Sequence, residues 1–383
     1  MTVLQKYLAS EITRAVLLVL AALLSMQSFF DLMGELRSVG KGEYYLQHAF
    51  LYILMGLPGF AYEMMPLATL IGTIWTLSRL ASSSEFTIMR VSSMSTSMAG
   101  VMLAKIGLVF VVVTFFLGEV LSPLFSEMAV QMKLRLIGST VTQEFRTGLW
   151  AKDIVKDLEE GGKITGSRFL NVREVVPGGV LKGVKIYQFD TSFRMEALIT
   201  ADSANYRGNH SWDLTGVSEV RFPNIALGQE ASLEDLKTAI VTRSLPTMQL
   251  SLEITPDIMG VLFADPDRLS ANDLNAYTRH LAENNQQTER YEIAFWKKLI
   301  YPFAVLVMMA LALPFAYLQV RAGGVSLKIF TGIMIGVSFY LINSLFSHIG
   351  MLNTWPALIT ALLPSLVYLS IAMGAMWWVE NRG

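Results

Sequence analysis

The chain has 383 residues, 53% of them apolar and only 16% charged, with a formal net charge of −1 and a mean hydropathy of +0.46. So few charges exclude an ordinary soluble protein, and the balanced charge excludes the basic excess that nucleic-acid binding requires. The absence of cysteine excludes disulfides and thiolate metal sites.

A helix needs about 20 mostly apolar residues to cross the hydrocarbon core, and six stretches qualify. The first runs from about Ile12 to Met33. Lys6 and Arg14 before its apolar run imitate a signal peptide, but the run continues to Phe30 without a small-x-small cleavage pattern, so a retained helix is expected. The second covers about Phe60 to Leu80, with an apolar lead-in from Leu46 to Leu57. Pro58, Gly59, Glu63 and Pro66 predict a kink or local unwinding there. Ser84 to Arg90 then reads as a short amphipathic helix, with Ser84 as N-cap and Glu85 favourably placed in the first turn. The third span covers about Met98 to Leu121.

A polar interval follows, from about Val130 to Asn285. Its middle reads as strands at Arg168–Val172, Val180–Phe189, Met195–Tyr206 and Trp212–Phe222, parted by the turn signals Pro177-Gly178-Gly179 and Arg207-Gly208-Asn209. Short strands at this spacing predict an antiparallel sandwich or jellyroll. From Asp267 to Arg290 the pattern becomes helical, with Asp267 or Ser270 as N-cap. Three further spans close the chain, at about Trp296–Leu318, Ser326–Phe346 and Trp355–Trp378, the last flanked by Trp355, Trp377 and Trp378 as an aromatic belt.

The expected fold is thus an α-helical membrane protein with six spans (3+3) and an inserted periplasmic, jellyroll-like all-β domain. Residues 1–129 form the first membrane part with a coupling helix at about 84–92, residues 130–290 the β domain and return helix, and residues 291–383 the second membrane part. Sidedness follows from Lys and Arg. A cytoplasmic N-terminus gathers Lys6, Arg14, Arg79, Arg90, Lys105, Arg321, Lys328 and Arg382 on one side, against Arg37 and Lys41 in the short loops opposite. Both termini are then cytoplasmic and the β domain periplasmic.

No catalytic centre is legible. Gly161-Gly162-Lys163 lacks the spacing of a phosphate loop, so any ATP is hydrolysed by another chain. His48, His210, His280 and His348 are scattered and form no metal pattern. Nucleophile elbows are absent, and the serines at 82–84 and 92–97 before Lys105 suit loop or cap duty better than a Ser–Lys dyad. Charges beside the spans are the better pointers, since charge in lipid is costly. Asp31, Arg37 and Lys41 gather where the first span ends, and Lys133 and Arg135 lie on an extension of the third. Two readings stand side by side: interfacial snorkelling, or a cationic rim matched to phosphate headgroups. Phe29, Phe30, Met64, Met65, Phe330 and Met334 either face lipid and neighbouring helices or line an adaptable cavity for acyl chains. Glu63 and Glu119 receive no role.

The chain resembles the LptF/LptG family of lipopolysaccharide export permeases over nearly its whole length, and within it the LptG branch. The resemblance is carried by Ser84-Glu85-Phe86-Thr87-Ile88-Met89-Arg90, by Gly118-Glu119 with Pro123, and by Gly148-Leu149-Trp150-Ala151-Lys152-Asp153. It is extended by Ile254-Thr255-Pro256-Asp257 and by Ala264-Asp265-Pro266-Asp267-Arg268-Leu269-Ser270. It implies a permease subunit in the inner membrane of a Gram-negative bacterium, paired with an LptF-type subunit, an LptB-type ATPase dimer and an LptC-type single-span protein. Lipopolysaccharide would enter from the outer leaflet between the first span of one subunit and the fifth of the other, and leave along a bridge of β-jellyroll domains. ATP and magnesium would belong to the partner ATPase, with no cofactor on this chain. The ATPase would dock through Glu85, Phe86, Met89 and Arg90. Arg37 and Lys133 match basic positions of the family. Asp31 stands where relatives often carry a further basic residue, which shifts phosphate contacts onto Arg37, Lys41 and Arg135. The alternatives are the paralogous LptF-type subunit and a membrane-anchored periplasmic scaffold. A lipoprotein-releasing permease is disfavoured by the six spans.

Overall fold

The computed structural model describes residues 3–91, 95–137, 148–157, 163–176, 180–222, 240–256, 266–283, 286–317, 325–353 and 355–382. Arg321, Gly161, Gly162, the turn at 177–179, Ser92 and Ser93, and Asp257, Ala264 and Asp265 lie outside them, as does the side chain of Arg90.

Among the described residues six helices are long and apolar enough to cross a membrane: Val3–Ser38, Leu46–Ser82, Thr96–Ile137, Glu289–Tyr317, Ser326–Leu352 and Ala357–Val379. The first comprises α1 (Val3–Glu35) and a 3-10 turn, Leu36–Ser38; the second is α2 (Leu46–Ser82), followed by the short α3 (Glu85–Val91). The third joins α4 (Thr96–Phe116), a π-helical turn (Leu117–Leu121) and α5 (Ser122–Ile137), running well beyond the expected end. After the β domain come α6 (Ala271–Glu283) and the fourth span, built from α7 (Glu289–Ile300), a 3-10 turn, α8 (Ala304–Ala312) and α9 (Pro314–Tyr317). Pro302 and Pro314 explain its segmentation, since neither can donate an intrahelical bond. The fifth and sixth spans are α10 (Val325–Asn353) and α11 (Ala357–Arg382).

The second span is the hub. A side chain at Gly72 would meet the Val16 backbone at 2.8 Å, so α1 lies directly on α2, and α10 packs on α2 where Gly332 meets Ile74 and Gly336 meets Leu67. Small residues permit this close approach, which drives helix association where no hydrophobic effect operates. The unwinding expected in α2 is not seen: it stays one helix through Pro58 and Pro66. Each proline removes only one donor, and the surrounding helices support the rest.

The β domain is a six-stranded antiparallel sheet in sequential order: β1 (Leu149–Asp157), β2 (Lys163–Val176), β3 (Val180–Asp190), β4 (Met195–Gly208), β5 (Ser211–Arg221) and β6 (Val241–Ser251). The described strands form a meander that rolls up, where two stacked sheets were the other expectation. A line of irregularities bends it. Gly183 and Gly216 take φ of +62°, and at each the alternation slips by one: Leu181 then Val184, Leu214 then Val217 are buried. Between them Ala201 and Ala204 show the same slip in β4. The strands keep their register across this line, so they bend there together; true register shifts lie at Val155/Lys156, Gln188/Phe189 and Tyr206/Gly208, and bulges of that kind add twist and curl. As a result Arg168 of β2 reaches across the inner face to the Ser251 carbonyl at the end of β6, 2.9 Å away. Leu170, Ile186, Ile199, Trp212 and Leu214 fill that inner face, and Leu252 to Ile254 close over it, with Trp212 Nε1 donating to the Ile254 carbonyl at 2.9 Å.

Candidate functional sites at the two ends of the bundle

At the end carrying the β domain, the loop after the first span folds back onto the tip of α5. The Glu43 amide donates to the Leu136 carbonyl at 2.8 Å, and Gly42 adopts φ +58° hard against Leu136, where a Cβ would meet that carbonyl oxygen. Tyr44 is fully buried with Ala49 and Ile137. Burial, and secondarily the neighbouring Glu35 carboxylate, push its phenol above the ordinary range. This docking brings the four predicted cations to one rim. Arg37, Lys41 and Arg135 are exposed. Lys133 is engaged: its Nζ lies 2.8 Å from Glu35 and 4.7 Å from the Tyr52 ring centroid. Asp31, one turn before Glu35, accepts from Gln27 Nε2 at 3.2 Å, and its other oxygen is buried without a hydrogen-bond partner among the described residues. Sequence reasoning missed Glu35, Tyr44 and Tyr52. The available signal was Glu35 itself, an acid four residues from Asp31 on the helix whose end carries the predicted cations.

Phe29 and Phe30 on α1 and Phe330 and Met334 on α10 are all more than half exposed, on faces turned away from α2. Met65 is only 3% exposed and belongs to the core between α1, α2 and α4, with Met64 packed at its margin. Neither Met64 nor Met65 is grouped with the four exposed residues.

At the opposite end lies α3. Ser84 sits at φ +63° and caps nothing with its side chain; its carbonyl accepts from Ile88 at 3.0 Å. Glu85 accepts from Tyr7 Oη at 2.9 Å and from Ser83 Oγ at 3.0 Å. Phe86 is buried at 3% exposure, edge-on to Tyr317 with centroids 5.3 Å apart, and Met89 packs against the same core. The face of α3 left to solvent is therefore Thr87, Ile88 and Val91. An Arg79–Glu11 ion pair ties the first two spans together beside it.

Within the β domain, Asp153 is buried opposite Arg168 in the β1–β2 register. Desolvation raises its carboxyl to about 6, the Arg168 charge pulling the other way, while burial lowers the Arg168 guanidinium. Among the described residues no group of three or more His, Cys, Asp or Glu side chains is placed to hold a metal.

The family model for "Lipopolysaccharide export system permease LptF/LptG" matches residues 6–379. The chain is 28% identical over 380 residues to the lipopolysaccharide export system permease protein LptG of Haemophilus influenzae, covering 99% of this chain and 98% of that protein. It is 27% identical over 374 residues to the LptG protein of Escherichia coli K12, with 97% of each chain covered. With six spans around an inserted β domain and a match spanning nearly its full length, the chain belongs to the LptF/LptG family of lipopolysaccharide export permeases.

Proposed function

We propose that this chain is the LptG-type half of an ATP-driven exporter that lifts lipopolysaccharide from the outer leaflet of the inner membrane. The LptF-type reading is the alternative; similarity to two LptG proteins favours the first. In this reading the β domain is periplasmic, both termini are cytoplasmic, an LptF-type subunit completes the cavity, an LptB-type dimer binds below and an LptC-type protein extends the β bridge. The cation bias of the short loops supports that sidedness.

The observation that carries the reading is the rim: Arg37, Lys41 and Arg135 stand exposed around one docked loop at the β-domain end. Guanidinium and ammonium groups at a membrane interface match lipid phosphates. Phe29, Phe30, Phe330 and Met334 give the first and fifth spans apolar outer faces suited to acyl chains. Glu85 and the exposed side of α3 form the ATPase contact. The triple substitution Arg37→Glu, Lys41→Glu, Arg135→Glu reduces photo-cross-linking to lipopolysaccharide about tenfold or more while the chain still assembles. Undiminished cross-linking removes the rim from the mechanism.

A further inference from the structure

The return from the β domain to the fourth span is pinned to the middle of the third. The helix α6 begins with its own cap: Ser270 Oγ accepts the Asp273 amide at 3.1 Å and donates to the Asp273 carboxylate at 2.5 Å. That arrangement leaves the Ala271 amide, another of the unpaired donors of a helix start. Glu119, from the π turn of the third span, takes it with both carboxylate oxygens, at 2.9 and 3.1 Å. A carboxylate at a helix N-terminus also meets the positive end of the helix dipole.

The geometry around Glu119 is built to hold it. Gly118 packs so closely on the Tyr62 ring that a side chain there would overlap it. Tyr62 and Tyr301 lie 5.2 Å apart, and Tyr301 Oη donates to the Glu63 carbonyl at 2.6 Å. Lys298, only 4% exposed, donates to the Leu269 carbonyl just before the cap, and Lys297 pairs with Asp267 at 3.1 Å. The third span is 42 residues long. At about 1.5 Å per residue Glu119 stands about 35 Å along the span from Thr96. π turns recur at functional sites because the extra residue re-aims a side chain. Here the turn directs Glu119 at the connector.

We infer that Glu119 is a positioning residue for export: it locks the root of the β domain to the third span, so movement of that span during transport re-aims the domain. Among the described residues this contact joins two segments 152 positions apart in sequence.

Because the chain has no cysteine, two introduced ones suffice for spin labelling. Lys182→Cys on β3 and Gln47→Cys at the start of α2, both exposed, report the pose of the β domain against the bundle in the full chain in lipid nanodiscs. The parent gives one narrow distance distribution. Glu119→Ala raises the population at displaced distances about tenfold, and Glu119→Gln, which keeps one acceptor oxygen, restores most of the parent distribution. Ala271→Pro deletes the donor at the first helical position, where proline is tolerated, and reproduces the Glu119→Ala distribution. If Glu119→Ala fails to fold, Ala271→Pro alone decides. An unchanged distribution in Ala271→Pro overturns the inference, as does a change in Glu119→Ala that Ala271→Pro does not share. The measurement needs no lipopolysaccharide, so its failure is separate from failure of the rim.

Discussion

Lys133 extends from the tip of the third span to the Glu35 carboxylate of the first, closing to 2.8 Å with both side chains largely shielded. A partly buried pair of this kind resists a ligand, since any phosphate must compete with a carboxylate already in place. Glu35→Gln therefore frees Lys133 and raises lipopolysaccharide cross-linking at the rim about threefold to tenfold. Lys133→Met leaves Glu35 uncompensated and costs roughly 1–2 kcal/mol, read as a lower unfolding temperature in detergent. Equal cross-linking in parent and Glu35→Gln would show that Lys133 was accessible all along.

The short helix α3 divides by face. Phe86→Ala opens a cavity against Tyr317 and costs about 3 kcal/mol, lowering stability whether or not a partner is present. Ile88→Asp, on the exposed face, leaves stability within about 0.5 kcal/mol and reduces recovery of the ATPase with the purified permease about tenfold. Undiminished recovery would place the ATPase elsewhere.

The buried Asp153 carboxyl makes stability of the β domain depend on pH. Burial raises its folded pKa from the ordinary carboxyl value of 3.8 to about 6, so the folded state binds more protons between those values. Stability is therefore greater below pH 4 from this group and falls as pH rises through 6, by about 1–3 kcal/mol. Urea midpoints for proteolysis within the domain should fall over that window in the parent. Asp153→Asn, which cannot ionise, should flatten the slope; an unaltered slope would assign it to other carboxyls.

Gly216 tests the roll of the sheet. Its φ of +62° is unfavourable for other residues, and a side chain would collide with the Asp202 carboxylate. Gly216→Ala costs about 1–3 kcal/mol. Gly183→Ala shares the positive φ and its Cβ would meet the fixed Arg173 Cβ at 3.0 Å, so it costs a comparable amount. Circular dichroism melts of the full chain compare the two.

The spans and the inserted β domain were legible because their signals are local: long apolar runs, and alternation bounded by turns. Strands β3 to β5 are legible within two residues at either end, β2 only over its middle (Arg168–Val172 of Lys163–Val176), and Ser270 is one of the two cap candidates. The edge strands were not. In β6 nearly every side chain is exposed and Pro246 interrupts it, so no two-residue period exists, and β1 carries Lys152 and Asp153 in mid-strand. The third span was cut short at Leu121 because α5 is amphipathic and carries Glu127, Lys133 and Arg135. Partnerships were harder still. That Glu35 takes Lys133, that Phe86 turns inward onto Tyr317 and that Glu119 meets Ala271 depend on residues 98, 231 and 152 positions apart. No local pattern encodes them.

From Glu119 to Ile137 the third span continues as a stiff rod for 18 residues (137 − 119), about 27 Å at ~1.5 Å per residue. Tilting such a mast by about 10° sweeps its head sideways by about 5 Å. The loop bearing Arg37 and Lys41 is moored to that head, and the foot of the β domain is moored near its base. One small inclination inside the bilayer would thus carry headgroup and exit path in the same stroke, with unequal reach.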